Sequence, residues 1–372
     1  MRFTIERAAM LKALAHVQNV VERRNTIPIL SNVRLQAADG GLSLTATDMD
    51  LAMVERVDAD VAQPGMTTAP AHTLYDIVRK LPDGAQLELD DSGDASRLRL
   101  LSGRSDFTLP ALPTEDFPVM AEGELGHEFT LAAGDLRALV DHTFFAISTE
   151  ETRYYLNGIY LHAVGGDGTR LLRAVATDGH RLARVEAPLP AGAEGIPGVI
   201  VPRKTVQELR RLIDETADDV RVGLSETKIR FAFDDAVLTS KLIDGTFPDY
   251  ARVIPDGNDK ILDVDCKAFA AAVDRVSTIS SEKSRAVKLA LAPGSLTLST
   301  TSAENGSAKE EIEVVYDAEP MEIGFNARYV LDIAGQIEGE TLRLALADSA
   351  SPTVASNLAD GAALYVLMPM RV

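Results

Sequence analysis

Three stretches of the chain open alike, with a short run of alternating apolar and polar residues that passes into apolar residues at helical spacing. They run from Phe3 to Val20, Phe129 to Phe145 and Leu262 to Ile279. The helical stripes are Leu11, Leu14, Val17 and Val21 in the first, Leu136, Leu139 and Val140 in the second, and Phe269, Val273, Val276 and Ile279 in the third. Each stripe predicts one helix face turned to a core. Strand-like runs of period two follow, such as Leu42 to Ala46, Leu171 to Val175 and Leu296 to Leu298, separated by Gly- and Asp-rich turns. A second helix is then predicted in each third, from Leu74, Ile77, Val78 and Leu81; from Val206, Leu209, Leu212 and Ile213; and from Val330, Ile333 and Ile337. Strand, helix and several strands thus recur six times.

This repeat predicts an α+β fold of three tandem domains, each with two helices backed by antiparallel sheet, over residues 1–125, 126–256 and 257–372. The boundaries fall near Glu122 to His127 and Pro255 to Asp259, after Phe117-Pro118-Val119 and Phe247-Pro248-Asp249-Tyr250. Units of this kind can pack side by side into an arc. An open arc exposes strand edges at its ends, and closing it head to tail with a second chain removes them. Three beads on a string is the other arrangement the pattern allows, although the segment from Glu122 to His127 is short for a linker.

Composition narrows the class. The chain has 372 residues, 46% of them hydrophobic and 25% charged, which is ordinary globular material too long for one compact core. It contains no apolar run near the roughly 18 to 20 residues of a membrane span, and the N-terminus turns polar too early for a secretory signal. A soluble cytoplasmic protein is expected. Cys266 is the only cysteine, so an intrachain disulfide and a cysteine-rich zinc site are excluded, and it is expected to face a core.

The net charge of −19 taken alone argues against a nucleic-acid partner. Its distribution argues otherwise. The predicted helices, residues 6–24, 72–82, 135–147, 203–214, 267–285 and 327–337, sum to +6 and leave −25 for the rest of the chain. Their solvent faces are predicted to hold Arg23, Arg24, Arg79, Lys80, Arg203, Lys204, Arg210, Arg211, Lys283 and Arg285, side chains able to meet phosphates without reading sequence. Ordinary solvated helix faces would look the same.

Catalytic motifs are missing: the chain has no phosphate loop, no His-Glu-x-x-His and no Gly-x-Ser-x-Gly. The cluster Thr177-Asp178-Gly179-His180-Arg181 holds an Asp and a His that could form a hydrolase's base pair, but Asp-Gly between alternating strands is more simply a tight hairpin turn. In Arg153-Tyr154-Tyr155-Leu156-Asn157-Gly158 a strand would send the two tyrosines to opposite faces, one to pack and one to meet a ligand; a plain half-buried strand fits equally. The end of the chain, Tyr365 to Val372, is apolar to its last residue and carries Met368 and Met370 around Pro369. It reads either as a final core strand or as an adaptable surface for peptides.

Together these segments resemble one family, the bacterial DNA polymerase III beta subunit, or sliding clamp. The resemblance covers the whole chain through Pro28 to Asn32, Ser102 to Ser105, Arg153 to Gly158, Ala176 to Ala183, Val201 to Lys204, Asp244 to Tyr250, Glu322 to Asn326 and the Met-Pro-Met-Arg end. It implies a head-to-tail homodimer of the DNA-clamp fold, a ring with helices inside and sheets outside, without catalysis or cofactor. It implies double-stranded DNA in the ring, met by Arg24, Arg79, Arg153, Tyr154, Tyr155, Arg203 and Lys204. It further implies a pocket for short peptide motifs of the replicative polymerase, the clamp loader, repair polymerases and mismatch-repair proteins. Carried over by motif, the pocket uses Leu156, Thr177, Gly179, His180, Arg181, Leu182, Pro248, Val253, Asn326, Tyr329, Val366, Met368 and Met370. The dimer contact falls to Phe107 and Leu109 against Thr278 and Ile279. Asp106 and Thr278 depart from the family's usual basic and larger aliphatic residues, so a dimer that dissociates more readily is expected.

Overall fold

The computed structural model describes the chain apart from residues 92, 94, 95, 121, 122, 167, 168, 216, 217, 281–284 and 372. Glu122 of the first expected boundary, Lys283 of the expected basic face and the terminal Val372 lie outside the described residues. The six predicted helices are present: α1 (Arg7–Gln18), α2 (Ala71–Lys80), α3 (Ala133–Phe144), α4 (Arg203–Asp214), α5 (Cys266–Ser277) and α6 (Ala327–Ala334). Each is entered from a short strand, and the strand's last residue often caps the helix. Glu6 accepts from the amides of Ala8 and Ala9 at 2.9 and 3.1 Å, Asp265 from Ala268 at 2.7 Å, and Asn326 from Arg328 at 3.0 Å.

Except for α4, which keeps the predicted 203–214, the helices are shorter than the apolar spacing predicts. Helix α1 ends at Gln18, yet Val20 and Val21 remain buried in the turns that follow, which is why the stripe continues past the helix. Arg23 and Arg24 therefore lie on a loop. Helix α5 ends at Ser277 in the same way, which removes Arg285 from it. The predicted stripes are buried at Leu14 and Val17; Leu74 and Val78; Leu136, Leu139 and Val140; Val206, Leu209, Leu212 and Ile213; Phe269, Val273 and Val276; and Val330 and Ile333, whereas Leu11, Ile77, Ile279 and Ile337 are only partly buried. Cys266 is buried as expected.

The chain forms two compact units. The first takes residues 1–137, 190–197 and 204–242, and the second residues 138–189, 198–203 and 243–372. Unit one holds a five-stranded sheet, in which Arg2–Glu6 pairs with Asp60–Gln63 and Gln86–Asp90 and Ser105–Pro110 is an edge, and an eight-stranded sheet. In that larger sheet Leu51–Asp58 pairs antiparallel with Ala236–Lys241, from Ala236 opposite Glu55 to Ser240 opposite Leu51. Unit two likewise holds an eight-stranded and a four-stranded sheet, the latter with Gly306–Glu313 at its edge. Its larger sheet joins Arg181–Pro188 to Asp360–Leu367, with Arg181 opposite Leu367 and Val185 opposite Ala363.

Each expected domain boundary is therefore crossed by a continuous hydrogen-bonded sheet. A backbone hydrogen bond contributes about 0.5–1.5 kcal/mol net, so a ladder of five residue pairs holds two thirds far more firmly than a tether. Three beads on a string is not the arrangement within either unit. Unit one also holds a polar cluster in which His16 and Glu55 are buried and Glu215 is exposed. His16 of α1 bonds Glu55 through Nδ1 at 3.0 Å and Glu215, just past α4, through Nε2 at 3.1 Å. Burial opposes the imidazolium, but the two carboxylates outweigh it and raise the His16 pKa above its ordinary value.

Among the described residues no helix is long and apolar enough to cross a membrane.

Candidate functional site

In unit two an apolar cluster gathers residues distant in sequence. Leu156, Val175, Leu182, Ile200, Phe247, Tyr250 and Val366 are buried together, with Tyr155, Tyr160 and Ile254 packed against them. Leu182 and Val366 are cross-strand partners in the shared sheet. Three of the residues expected at a peptide pocket, Leu156, Leu182 and Val366, thus meet in one core. Phe247 stacks on Tyr160 with ring centroids 4.9 Å apart. The Tyr250 hydroxyl is anchored from beneath: Arg173 donates to it at 2.8 Å, and His162 Nε2 lies 2.9 Å away. Burial lowers the His162 pKa, and Arg173 is held in turn by Glu186. Pro248 and Val253 lie on the exposed loop and 3₁₀ turn around this tyrosine.

The turn between strands Thr169–Thr177 and Arg181–Pro188 stands beside this cluster, and the hairpin reading of Asp178-Gly179 is correct. Thr177 Oγ1 donates to the Arg181 carbonyl at 2.7 Å and accepts from the Gly179 amide at 3.0 Å. Asp178 Oδ1 accepts from the amides of His180 and Arg181 at 2.9 and 3.0 Å. Gly179 has φ +87°, a conformation a side chain resists. The Asp178 carboxylate is thus committed to backbone and to Arg181 Nε at 3.2 Å, so it does not orient His180 as a catalytic base. The His180 ring stacks instead on Tyr329 at 6.0 Å.

Arg181 ties this turn to α6. Only 8% exposed, its guanidinium bonds Asp178, Asp332 and the Phe145 carbonyl, and lies 4.4 Å from the Tyr329 ring and 5.0 Å from that of Phe145. The C-terminal residues close the group. The Met368 amide donates to the His180 carbonyl, and the Met370 amide to Gly324, two residues before Asn326, both at 2.9 Å. The C-terminus forms the expected core strand through Tyr365 to Leu367, and Met368 and Met370 are half-buried beyond it.

The expected DNA-contacting residues divide between the units. Arg153, Tyr154 and Tyr155 are not in a strand, as the alternation suggested, but in a 3₁₀ segment, Glu151–Leu156, kinked at Arg153, whose φ of −113° and ψ of 51° are not helical. Asn157 stops it, its amide bonded to the Tyr154 carbonyl and its side-chain amide to that of Glu150. The tyrosines still separate: Tyr154 is 55% exposed and Tyr155 packs on the apolar cluster. Arg153 is clamped by Glu150, at 2.9 Å from Nε and 2.7 Å from Nη2, and also donates to the Asp178 carbonyl. Arg203 lies over the Phe144 ring at 4.9 Å and donates to the Ile147 carbonyl; burial lowers its pKa.

In unit one, Arg24 is exposed on the loop after α1, and Arg79 in the last turn of α2 pairs with Asp76 at 3.1 Å. Lys204 is held by Asp48 at 2.6 Å, by the Val20 carbonyl and by Glu22; burial opposes its charge, and these carboxylates outweigh it to raise its pKa. Much of the positive charge expected to face solvent is thus engaged within the chain. At the expected dimer contact, Phe107 is half-buried and Leu109 buried against its own sheet, on the edge strand Ser105–Pro110, while Asp106 pairs with Arg99 at 2.6 Å. Thr278 is exposed and Ile279 half-buried just past α5. The residues not foreseen are Phe247 and Tyr250 with their anchors His162 and Arg173, and Glu150 and Asp332. Phe247-Pro-Asp-Tyr250 was legible, but as a boundary and not as a wall.

Three family models match in sequence order: the DNA polymerase III beta subunit N-terminal domain over residues 1–121, the central domain over 130–249 and the C-terminal domain over 251–371. The beta sliding clamp of Caulobacter vibrioides is 58% identical over all of both chains, and that of Escherichia coli 41%. Among solved structures, a Caulobacter crescentus beta sliding clamp matches with TM-score 0.98 at 58% identity, covering 100% of this chain and 99% of that one. A Bartonella birtlesii sliding clamp bound to griselimycin matches with TM-score 0.97 at 51% identity over the whole of both.

Proposed function

The chain belongs to the bacterial DNA polymerase III beta subunit family, the sliding clamps, and on that premise we propose that two copies join head to tail into a ring around duplex DNA. Its function is that of a DNA sliding clamp, a non-catalytic factor that confers processivity on DNA polymerase III. Encirclement holds the polymerase at high effective concentration near the primer end without bonds to any one sequence.

One observation carries the ring. The third strand after the first helix of each third is Leu51–Asp58, Arg181–Pro188 or Gly306–Glu313, and the third strand after each second helix is Ser105–Pro110, Ala236–Lys241 or Asp360–Leu367. Two of these pairings are made within the chain, Leu51–Asp58 with Ala236–Lys241 and Arg181–Pro188 with Asp360–Leu367. Ser105–Pro110 and Gly306–Glu313 are left as sheet edges. The same pairing made between two copies uses both edges twice and closes the assembly with three domains, 1–125, 126–256 and 257–372, from each. Edge pairing of this kind also removes the templates on which chains aggregate.

Duplex DNA passes through the ring against Arg24, Arg79, Arg153, Tyr154, Tyr155, Arg203 and Lys204. Short peptide motifs dock on the cluster around Leu156, Leu182 and Val366, with Thr177, Gly179, His180, Arg181, Pro248, Val253, Asn326, Tyr329, Met368 and Met370 around it. The replicative polymerase, the clamp loader, repair polymerases and mismatch-repair proteins take turns at that surface, in the cytoplasm.

Negative-stain microscopy and sedimentation velocity test the ring. Closed rings with an empty centre are expected at micromolar concentration; compact solid particles would sink the reading. Asp106 and Thr278 make the contact less apolar, so dilution to nanomolar concentration is expected to release monomer, and finding only dimer there would refute a weakened interface.

A further inference from the structure

The 3₁₀ segment Glu151–Leu156 carries side chains of both proposed surfaces. Tyr154 is exposed toward solvent, whereas Leu156, two residues on, is buried in the pocket's apolar cluster. The segment also rests directly on two loops that border that cluster. At Gly179 a Cβ would stand 2.5 Å from Nη1 of Arg153. At Gly245, just before Phe247, a Cβ would stand 3.1 Å from Cβ of Tyr155 and 3.5 Å from Cε2 of Tyr154. Glycine at both positions lets the segment lie against the loops. Arg153 completes the joint, with one guanidinium bonded both to the Glu150 carboxylate and to the Asp178 carbonyl of the turn.

A guanidinium is a planar fork whose donors point in fixed directions, so it cannot keep this arrangement and also give a phosphate a two-point contact. The Arg153 side chain is 32% exposed, close enough to solvent for a phosphate to compete with Glu150. We infer that the two surfaces are coupled negatively through Arg153, an inference that rests on the assignment of both surfaces above. A phosphate that draws Arg153 from Glu150 and the Asp178 carbonyl loosens the turn bordering the pocket; a peptide that fixes the turn holds Arg153 away from DNA. The coupling is reciprocal by thermodynamic necessity. Its size falls at the low end of such effects, because Thr177 and Asp178 still brace the turn by their own hydrogen bonds.

The test uses the full chain at low salt and a fluorescent peptide copied from the clamp-binding motif of a replicative polymerase catalytic subunit. Its Kd is measured by anisotropy with and without a saturating unlabelled duplex. The expected result is a Kd about fivefold weaker with duplex present, a shift abolished in Arg153→Ala. Glu150→Gln, which alters neither proposed surface, is expected to tighten duplex binding by freeing the guanidinium. A peptide Kd that is unchanged or tighter with duplex overturns the coupling, as does a shift that survives Arg153→Ala. If neither Arg153→Ala nor Tyr154→Ala weakens duplex binding, the DNA assignment itself fails and the coupling with it.

Discussion

The turn Thr47-Asp48-Met49-Asp50-Leu51 in unit one and the turn Thr177-Asp178-Gly179-His180-Arg181 in unit two are the same backbone device. In the first, Thr47 Oγ1 donates to the Leu51 carbonyl and accepts from the Met49 amide, and Asp48 Oδ1 accepts from the amides of Asp50 and Leu51. Every one of these bonds has its counterpart in the second. The third residue has positive φ in both, +80° at Met49 and +87° at Gly179. What differs is what stands on the frame. Around Gly179, Arg153 occupies the place of a Cβ, His180 stacks on Tyr329 and Arg181 is buried between two carboxylates. Met49 instead is 49% exposed, and Asp48 holds Lys204. A repeated frame supplies geometry, and the side chains added to one copy supply a site.

The largest expected difference between the copies comes from removing the capping carboxylate. Asp178→Ala leaves two backbone amides uncapped and takes a partner from the buried Arg181, for an expected loss of about 2–4 kcal/mol. Asp48→Ala is expected to cost about half that, because Lys204 keeps Glu22 and is 31% exposed. Urea denaturation of the two variants compares them, and equal losses would mean that the copies are energetically alike. Exchanging the residues at positive φ has a smaller effect. Gly179→Ala is expected to cost about 1–2 kcal/mol and to unseat Arg153, whereas Met49→Gly relieves strain and ranges from neutral to a gain of about 1 kcal/mol. A loss on Met49→Gly would show that the methionine packs more than its exposure suggests.

The smallest effect is in pH, and the units differ in sign. His16 has a raised pKa, so its stabilisation is complete below the unfolded value of about 6.5 and is lost as pH rises through the folded value. Lys12, Glu55, Glu215, Asp218, Asp234 and Asp235 line the cavity around it, and of these Glu55 and Glu215 favour the charged ring. Glu208 on α4 also faces it. His162 has a lowered pKa, so its contribution is complete above the unfolded value and fades as pH falls through the folded one. Hydrogen-exchange protection is expected to fall around His16 at alkaline pH and around His162 at acid pH; parallel profiles in the two regions would contradict these opposite signs.

The sixfold recurrence of strand and helix was legible because burial enforces periodicity, and the Asp178-Gly179 turn because its backbone conformation selects its residues. The corresponding turn of unit one shares Ala46-Thr-Asp with Ala176-Thr-Asp, but Met at the glycine position disguised it. Arg153-Tyr154-Tyr155 reads as strand because aromatic residues favour sheets, while the 3₁₀ form is set by Asn157, Glu150 and packing on Phe247's cluster. Partners remote in sequence were invisible altogether. Nothing near Lys204 announces Asp48 or Glu22, and nothing near Arg181 announces Asp332.

The engagement of these cations has a thermodynamic consequence. A lysine that already has two carboxylates on its own chain must, on meeting a phosphate, first give up partners of the same charge. The salt dependence of DNA binding comes from cations released as phosphates are neutralised, and a carboxylate left behind by its lysine or arginine takes up cation in turn, so on the proposed assignment contacts through Lys204, Arg79 and Arg153 would give a small net release. On the proposed assignment, such a clamp relies on encirclement more than on phosphate contacts to stay in place, and its retention on a closed circular duplex is expected to depend little on salt.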